Sequence, residues 1–200
     1  LRAAMFEEPL RFFGDLLEHD RSVLLLLDAE HTFVNGALAR HYGMPDFDGR
    51  ADRESWVRVD DAREFHRGGL ASMAVFLTKN SPGLRTSPVK RGYWVVKRLL
   101  GESIPAPPPN VPELPADESQ LGERSLRQML EAHRANKDCA ACHDKIDSIG
   151  LAFEAFGPVG EWRKLDLGGR PVDTLAKFPD QVEREGVEGL REYLVSQRRD

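Results

Sequence analysis

The stretch Cys139-Ala140-Ala141-Cys142-His143 holds both cysteines of this 200-residue chain and closes on a histidine. Two thiols three residues apart, followed directly by a histidine, form the attachment signature of c-type haem. In such a site the thiols form thioethers with the haem vinyl groups, and the histidine ligates the iron from the proximal side. The motif therefore predicts a covalent haem c on Cys139 and Cys142, with His143 as the proximal ligand.

Three other chemistries use a pair of cysteines. A dithiol redox pair is typically fed by a β-strand, whereas the residues before Cys139 have a helical pattern. A zinc site needs a fourth ligand, and the adjacent Cys142 and His143 are poorly spaced to reach one tetrahedral ion. A disulfide between the two cysteines would close too small a loop to stabilise much. Haem attachment is the favoured interpretation, with these three as alternatives.

The composition narrows the class of protein. Two hundred residues with 40% hydrophobic content suit one large or two small domains. A net charge of −5 argues against nucleic-acid binding, which needs a basic face. The longest apolar run, residues 23–27, is about a quarter of the length that a membrane helix needs. We therefore expect no nucleic-acid partner and no transmembrane segment in this chain.

The first 103 residues have mostly helical patterns, and we predict that residues 1–103 form a helical N-terminal domain. Apolar residues recur at helical spacing in the first twenty positions: Phe6, Leu10, Phe13 and Leu17. Further helices are predicted over residues 22–28, 32–42, 70–77 and 87–100. Trp56, Val57 and Val59 fit a short β-segment or an ordered loop.

The helix predicted over residues 87–100 starts with Ser87 as N-cap and Pro88 at the first helical position. Four basic residues lie off its apolar face: Lys90, Arg91, Lys97 and Arg98. This cluster docks an acidic redox partner, neutralises haem propionates or forms an ordinary solvated helix face, and the solvated face is the favoured interpretation.

Six prolines between positions 105 and 115 predict an extended linker or strap over residues 104–116. Beyond it, Ser125 and Gln128 form a capping box for a helix that ends just before the motif. A small hairpin turned at Gly168-Gly169 and a final helix over residues 187–197 follow the motif. We therefore predict a mainly α protein with a small haem c domain over residues 117–200 and a minor β-hairpin.

The motif leaves the second axial ligand of the iron open. The chain has no methionine after Met129, so the downstream thioether of small cytochromes c is absent. Met73, on a short apolar helix, is the first candidate, and core packing is its alternative role. His133 and His66 are further candidates, and an open position is the remaining possibility. Arg163 is a candidate for a haem-propionate contact by its charge, or else a surface arginine.

Several segments together resemble a known family. These segments are residues 68–74, 85–92, the proline strap and residues 134–143. They are similar to the C-terminal half of the large secreted planctomycete-type cytochrome c proteins, which are built from successive domains of unknown function. The resemblance implies an exported haem protein, with a longer N-terminal part before these residues and a continuation after them.

We predict electron transfer by a single haem c, with a redox partner protein or a larger electron-transfer complex. Covalent haem attachment is normally completed outside the cytoplasm, so we expect a periplasmic or otherwise extracytoplasmic location. A peroxidase-like haem enzyme with an open distal site is one alternative, and an assembly or scaffold subunit of a larger membrane-associated complex is another. The sequence shows no paired distal His and Arg at a recognisable spacing, so no catalytic residue is assigned.

Overall fold

The computed structural model describes residues 1–44, 55–105, 114–135 and 137–197, and these are mainly helical, as predicted. The α-helices are α1 Arg2–Glu18, α2 Leu25–Asp28, α3 Gly36–His41, α4 Ala74–Lys79, α5 Pro88–Trp94, α6 Leu126–Arg134, α7 Lys137–Leu151 and α8 Gly186–Gln197. The strands are β1 Thr32–Val34, β2 Val57–Val59, β3 Leu175–Lys177 and β4 Glu183–Glu185. Strand β1 pairs antiparallel with β2, and β3 pairs antiparallel with β4. In the described part of the chain, no helix is both long and apolar enough to cross a bilayer.

The chain forms two compact units. Unit one comprises Leu1–Lys79, Val159–Trp162 and Arg191–Asp200, and unit two comprises Asn80–Pro158 and Arg163–Leu190. These limits differ from the division at residues 104–116 that the proline pattern suggested. Residues 80–103 belong to unit two because α5 packs against α7. Much of the predicted strap, residues 106–113, lies outside the described residues.

Helix α1 of unit one forms where the sequence predicts it, but it buries a different face. Met5, Phe12 and Leu16 are buried, at 8%, 0% and 6% exposure. The predicted apolar face points to solvent instead, with Phe6 63% exposed and Leu17 82% exposed. Spacing alone therefore identified the helix and misassigned its core-facing side.

The physical reason is that the buried face of α1 carries two carboxylates with partners of their own. The hydroxyl groups of Thr32 and Tyr42 donate to the Glu8 carboxylate at 2.6 and 2.5 Å. Arg58 forms an ion pair with Asp15 at 3.2 Å. These contacts offset the cost of removing both carboxylates from water.

In two other predicted helices of unit one, the α-helix begins later than expected. Residues Thr32–Val34 form β1, and α3 starts only after Asn35, whose side chain accepts a hydrogen bond from the Leu38 N–H. The helix predicted over residues 70–77 is interrupted at Met73, whose backbone is extended between a short 3-10 turn and α4.

Unit two is built on a close crossing of α5 and α7. A Cβ atom added to Gly92 of α5 would lie 1.9 Å from the Ile146 carbonyl oxygen. A Cβ atom added to Gly150 of α7 would lie 2.0 Å from the Pro88 carbonyl oxygen. Because only glycine leaves room for such backbone contact, this pair of glycines fixes α7 against α5.

Helix α5 starts as predicted, since the Ser87 side chain accepts a hydrogen bond from the Lys90 N–H. Arg91, however, is fully buried rather than part of an exposed basic cluster. Its guanidinium donates to the carbonyl groups of Phe153 and Phe156 at 3.0 and 2.7 Å. Arg91 thereby ties the segment after α7 to α5. The exposed basic residues are Lys90 of α5 and, in the Val95–Leu99 segment that follows it, Lys97 and Arg98.

The predicted turn at Gly168-Gly169 forms, and the longer two-stranded pairing of unit two lies further along the chain. Around Gly168-Gly169 the structure has a local turn and an isolated bridge between Leu165 and Pro171. The Asp166 carboxylate closes this turn by accepting from the Gly168 N–H at 2.9 Å. The two-stranded hairpin is instead the β3–β4 pair, over residues 175–185.

Candidate haem-attachment site

The residues Cys139 to His143 lie in the first two turns of α7. The preceding helix α6 begins with the predicted capping box, in which Ser125 and Gln128 exchange side-chain and backbone hydrogen bonds. Helix α6 ends at Arg134, and α7 begins at Lys137. The element before the motif is therefore a helix, as predicted, and not the strand that a thioredoxin-like dithiol site requires.

The two thiols share one side of α7, because residues three apart in an α-helix are neighbours on its surface. Cys139 and Cys142 are both half-buried, and both are free thiols, so the disulfide alternative is not realised. No group of three or more His, Cys, Asp or Glu side chains within the described ranges has a geometry suited to a metal ion. The accessible thiols are available for thioether formation at this surface.

His143 is held by a buried carboxylate one turn further along α7. Its Nδ1 lies 3.0 Å from Oδ1 of Asp147, and Asp147 is 0% exposed. This hydrogen bond raises the pKa of His143, while partial burial of the ring acts in the opposite direction. Metal-ligating histidines usually donate their second ring N–H to a carboxylate or carbonyl in this way. With Nδ1 bound to Asp147, Nε2 is the ring nitrogen that remains free to bind a metal.

Asp147 is a residue that the sequence reasoning missed. Its spacing of four residues from His143 is readable as a helical pair once the motif is placed on a helix. Arg134 of α6 approaches the same carboxylate, with Nε 3.9 Å from Oδ2. That distance is too long for a hydrogen bond, and Oδ2 has no hydrogen-bond partner among the described residues. His143 is therefore the main partner of Asp147.

His133, a predicted candidate for the second iron ligand, lies beside His143. The two ring centroids are 4.8 Å apart, with an interplanar angle of 71°, which is a direct edge-to-face contact. Rings in direct contact leave no space for a porphyrin plane between them. In this arrangement His133 packs edge-to-face beside His143, and iron ligation by His133 stays a prediction.

The other two candidates for that ligand lie in unit one. Met73 is 2% exposed and packs in an apolar cluster with Phe12 and Leu16. His66 ends a 3-10 turn with φ 59°, and its ring stacks on Trp162 with centroids 3.5 Å apart. These surroundings match a packing role for Met73 and an aromatic contact for His66. Iron ligation by either residue stays a prediction.

Arg163 lies in a buried ion-pair network of unit two. Its guanidinium contacts Glu118 at 2.5 Å and Glu154 at 3.4 Å. The Arg163 side chain is only 7% exposed. Burial raises the pKa of Glu154, although Arg91 and Arg163 lower it. Arg163 thus neutralises two carboxylates of the protein itself, a structural role that differs from the propionate contact its charge suggested.

The fold and the site define a mainly helical protein whose unit two presents a C-x-x-C-H helix with a carboxylate-held histidine. Residues 67–166 match the family PSCyt3, described as a protein of unknown function (DUF1588). Since this match covers half of the chain and includes the motif, the protein belongs to that family. Residues 1–44 match PSD4, described as a protein of unknown function (DUF1592). The expected succession of domains of unknown function is therefore confirmed, and no curated protein and no solved structure matches the chain.

Proposed function

We propose that this protein transfers electrons through a single c-type haem attached to Cys139 and Cys142. The observation that carries the proposal is the arrangement on α7, where two accessible thiols share one side and His143 is held by the buried Asp147. The proposed setting is extracytoplasmic, with a redox partner protein or a larger electron-transfer complex. The location follows from the usual site of covalent haem attachment.

Each residue of the site has a separate task in this proposal. Cys139 and Cys142 hold the porphyrin through thioethers, and His143 binds the iron through Nε2. Asp147 fixes the ring of His143 and strengthens it as a ligand by accepting the Nδ1 proton. Gly150 keeps α7 packed against α5, so the whole helix is a rigid support. When bound, a c-type haem supplies reversible one-electron chemistry.

The attachment is tested by producing the chain in a bacterial periplasm that has a haem-attachment system. A pyridine haemochrome spectrum of the denatured protein should show one covalently bound haem per chain. The single variants Cys139→Ala and Cys142→Ala should each shift the band towards that of a haem with one free vinyl group, and the double variant should lose it. A folded native protein that carries no covalent haem would overturn the proposal.

The sixth coordination position decides between electron transfer and small-ligand chemistry. An electron-transfer centre should keep the ferrous iron closed, so carbon monoxide should bind slowly or not at all. Rapid carbon monoxide binding, followed by a Soret shift in stopped-flow mixing, would favour the peroxidase-like alternative instead. The test uses the native protein and needs no knowledge of its partner.

A further inference from the structure

Unit two contains a cavity of about 520 Å³ beside α7, and its lining excludes Cys139, Cys142 and His143. Helix α7 contributes Asp144, Ser148 and Leu151 to this lining, at the spacing of one helix face. Ser148 follows Cys139 by nine residues, which is about 2.5 turns of an α-helix, so the two point to opposite sides. The cavity therefore lies mainly on the side of α7 away from Cys139, and Lys145, which also lines it, follows Cys142 by three residues.

The floor of the cavity is apolar. Leu151 of α7, Ala176 of β3 and Phe178 line it, and they are 2%, 3% and 1% exposed. The cavity volume is within the range of small-molecule sites, about 300 to 1,000 Å³. An apolar floor of this kind accommodates the hydrocarbon or aromatic part of a ligand.

The rim of the cavity is strongly basic. Four of its side chains are cationic, and one is a carboxylate, Asp144; the cations are Arg127, Arg134, Lys145 and Lys177. Two of the cations have close partners, since Arg127 pairs with Asp173 at 2.7 Å and Lys145 pairs with Glu102.

The other two cations of the rim are available to a ligand. The carboxylate oxygens nearest to Arg134 are those of Asp144 and Asp147, each at 3.9 Å, which is beyond hydrogen-bonding distance. Lys177 has no ion pair within the described residues, and it is exposed. A negatively charged group would find two cations here without breaking an existing hydrogen bond.

We infer that this cavity binds a small organic anion: a carboxylate carried on an apolar or aromatic body. The guanidinium of Arg134 offers the planar pair of donors that matches a carboxylate, and Lys177 adds a second positive charge. Leu151, Ala176 and Phe178 contact the apolar body. The inference does not rest on the proposed electron transfer, because none of these residues belongs to the haem-attachment motif.

Isothermal titration of the full chain with benzoate tests the site, with benzamide as a neutral probe of nearly the same shape and acetate as a carboxylate without an apolar body. Saturable binding of benzoate, with much weaker binding of both other probes, is the expected result. Equal binding of benzoate and benzamide would overturn the inference, because the cations would then contribute nothing.

Variants locate the binding. Lys177→Gln should weaken benzoate binding about tenfold, because it removes one charged contact. Lys97→Gln is the matched control, since this exposed lysine of the 95–99 segment does not line the cavity. Ala176→Leu fills the floor and should abolish binding, and its thermal melt shows whether it has folded. If Ala176→Leu does not fold, Lys177→Gln decides alone, and unchanged benzoate affinity in that variant overturns the site.

The titration is made on the haem-loaded chain and on the Cys139→Ala, Cys142→Ala double variant. Equal affinity for benzoate in the two proteins is expected, because neither cysteine nor His143 lines the cavity. Binding that disappears on haem loading would show that the haem itself occupies the cavity, which would overturn the inference and leave the electron-transfer proposal standing. Benzoate binding to a chain that never acquires haem would support the anion site and overturn the electron-transfer proposal.

Discussion

Helices α1 and α7 are of similar length, 17 and 15 residues. Each carries a fully buried carboxylate and a glycine close to its C-terminal end. In α1 the carboxylate is Glu8, which accepts from the hydroxyl groups of Thr32 and Tyr42. In α7 the carboxylate is Asp147, which bonds to the ring of His143. The same chemical group therefore has neutral partners in one helix and a titratable ring in the other.

The glycines of the two helices also have different surroundings. A Cβ atom on Gly14 of α1 would meet nothing within 4 Å, whereas on Gly150 of α7 it would collide with the Pro88 carbonyl oxygen. Helix α1 thus uses its buried polar group to hold unit one together and leaves its glycine free. Helix α7 uses both features to fix the position of one histidine. A buried carboxylate alone does not identify a candidate functional site. The residue that the carboxylate binds does, and for Asp147 that residue is His143.

The largest effect is expected at the glycines. Gly150→Ala should lower the free energy of unfolding by about 3 kcal/mol or more, because backbone atoms must move apart to admit the methyl group. Gly14→Ala is the matched control, and it should raise the stability by about 0.5–1 kcal/mol, because the site is open and alanine favours the helix. Urea unfolding followed by circular dichroism measures both. Equal effects of the two substitutions would remove the contrast between the helices.

The second prediction concerns the pH dependence that Glu8 gives to unit one. Burial raises the pKa of Glu8 from 4.5 to about 7, and the bonds to Thr32 and Tyr42 only partly offset it. The folded protein therefore holds this proton more tightly than the unfolded chain, so the contribution of Glu8 to stability is greatest below pH 4.5 and falls as the pH rises to about 7. The total change is on the order of 3 kcal/mol.

The Glu8→Gln variant isolates that contribution. The difference in unfolding free energy between native protein and variant should shift in favour of the variant between pH 4.5 and 7, and it should be constant above and below that range. Thermal or urea unfolding across the range measures it. A difference that does not vary with pH would show that the pKa of Glu8 is the same in the folded protein as in the unfolded chain.

Local signals predicted the parts of the fold that local chemistry controls. The Ser87 N-cap, the capping box of Ser125 and Gln128, and the last helix all form where the sequence indicated. These features depend on hydrogen bonds between residues within four positions of one another, so their spacing is visible in the sequence. The C-x-x-C-H motif is equally local, because its three side chains lie within five residues, and haem attachment there stays a prediction.

The remaining features depend on contacts between residues far apart in sequence. Glu8 is buried because Thr32 and Tyr42, which lie 24 and 34 residues away, supply its hydrogen bonds. Arg163 is likewise buried because Glu118 lies 45 residues before it. A hydropathy pattern assigns such charged groups to the surface, and no short-range signal corrects that assignment. Asp147 was within reach of local reasoning, since it follows His143 by one helical turn.

A smaller effect is expected when the partner of His143 is changed. Asp147→Asn keeps the size of the side chain but replaces the carboxylate with a weaker acceptor, so His143 becomes a poorer electron donor to iron. The haem should remain attached, and its reduction potential should rise by tens of millivolts, on the order of a few-fold to tenfold in the redox equilibrium constant.

Asp144→Asn is the control for that measurement. Asp144 lies on the same helix, its side chain is 70% exposed, and His143 hydrogen-bonds to Asp147 instead. Spectroelectrochemical titration of the two haem-loaded variants should show a shift for Asp147→Asn only. Equal potentials in all three proteins would make Asp147 a structural carboxylate like Glu8, and the contrast between the two helices would disappear.

The smallest effect is expected at Met73, whose assignment as an iron ligand is the part of the sequence interpretation most open to a direct test. Met73 packs against Phe12 in the apolar cluster of unit one and is 2% exposed, so its thioether contributes mainly volume. Met73→Leu nearly conserves that volume and should cost less than about 1.5 kcal/mol of stability. The near-infrared absorption and the carbon monoxide reactivity of the haem-loaded protein should not change. Loss of a sulfur-to-iron band in this variant would instead establish Met73 as the ligand.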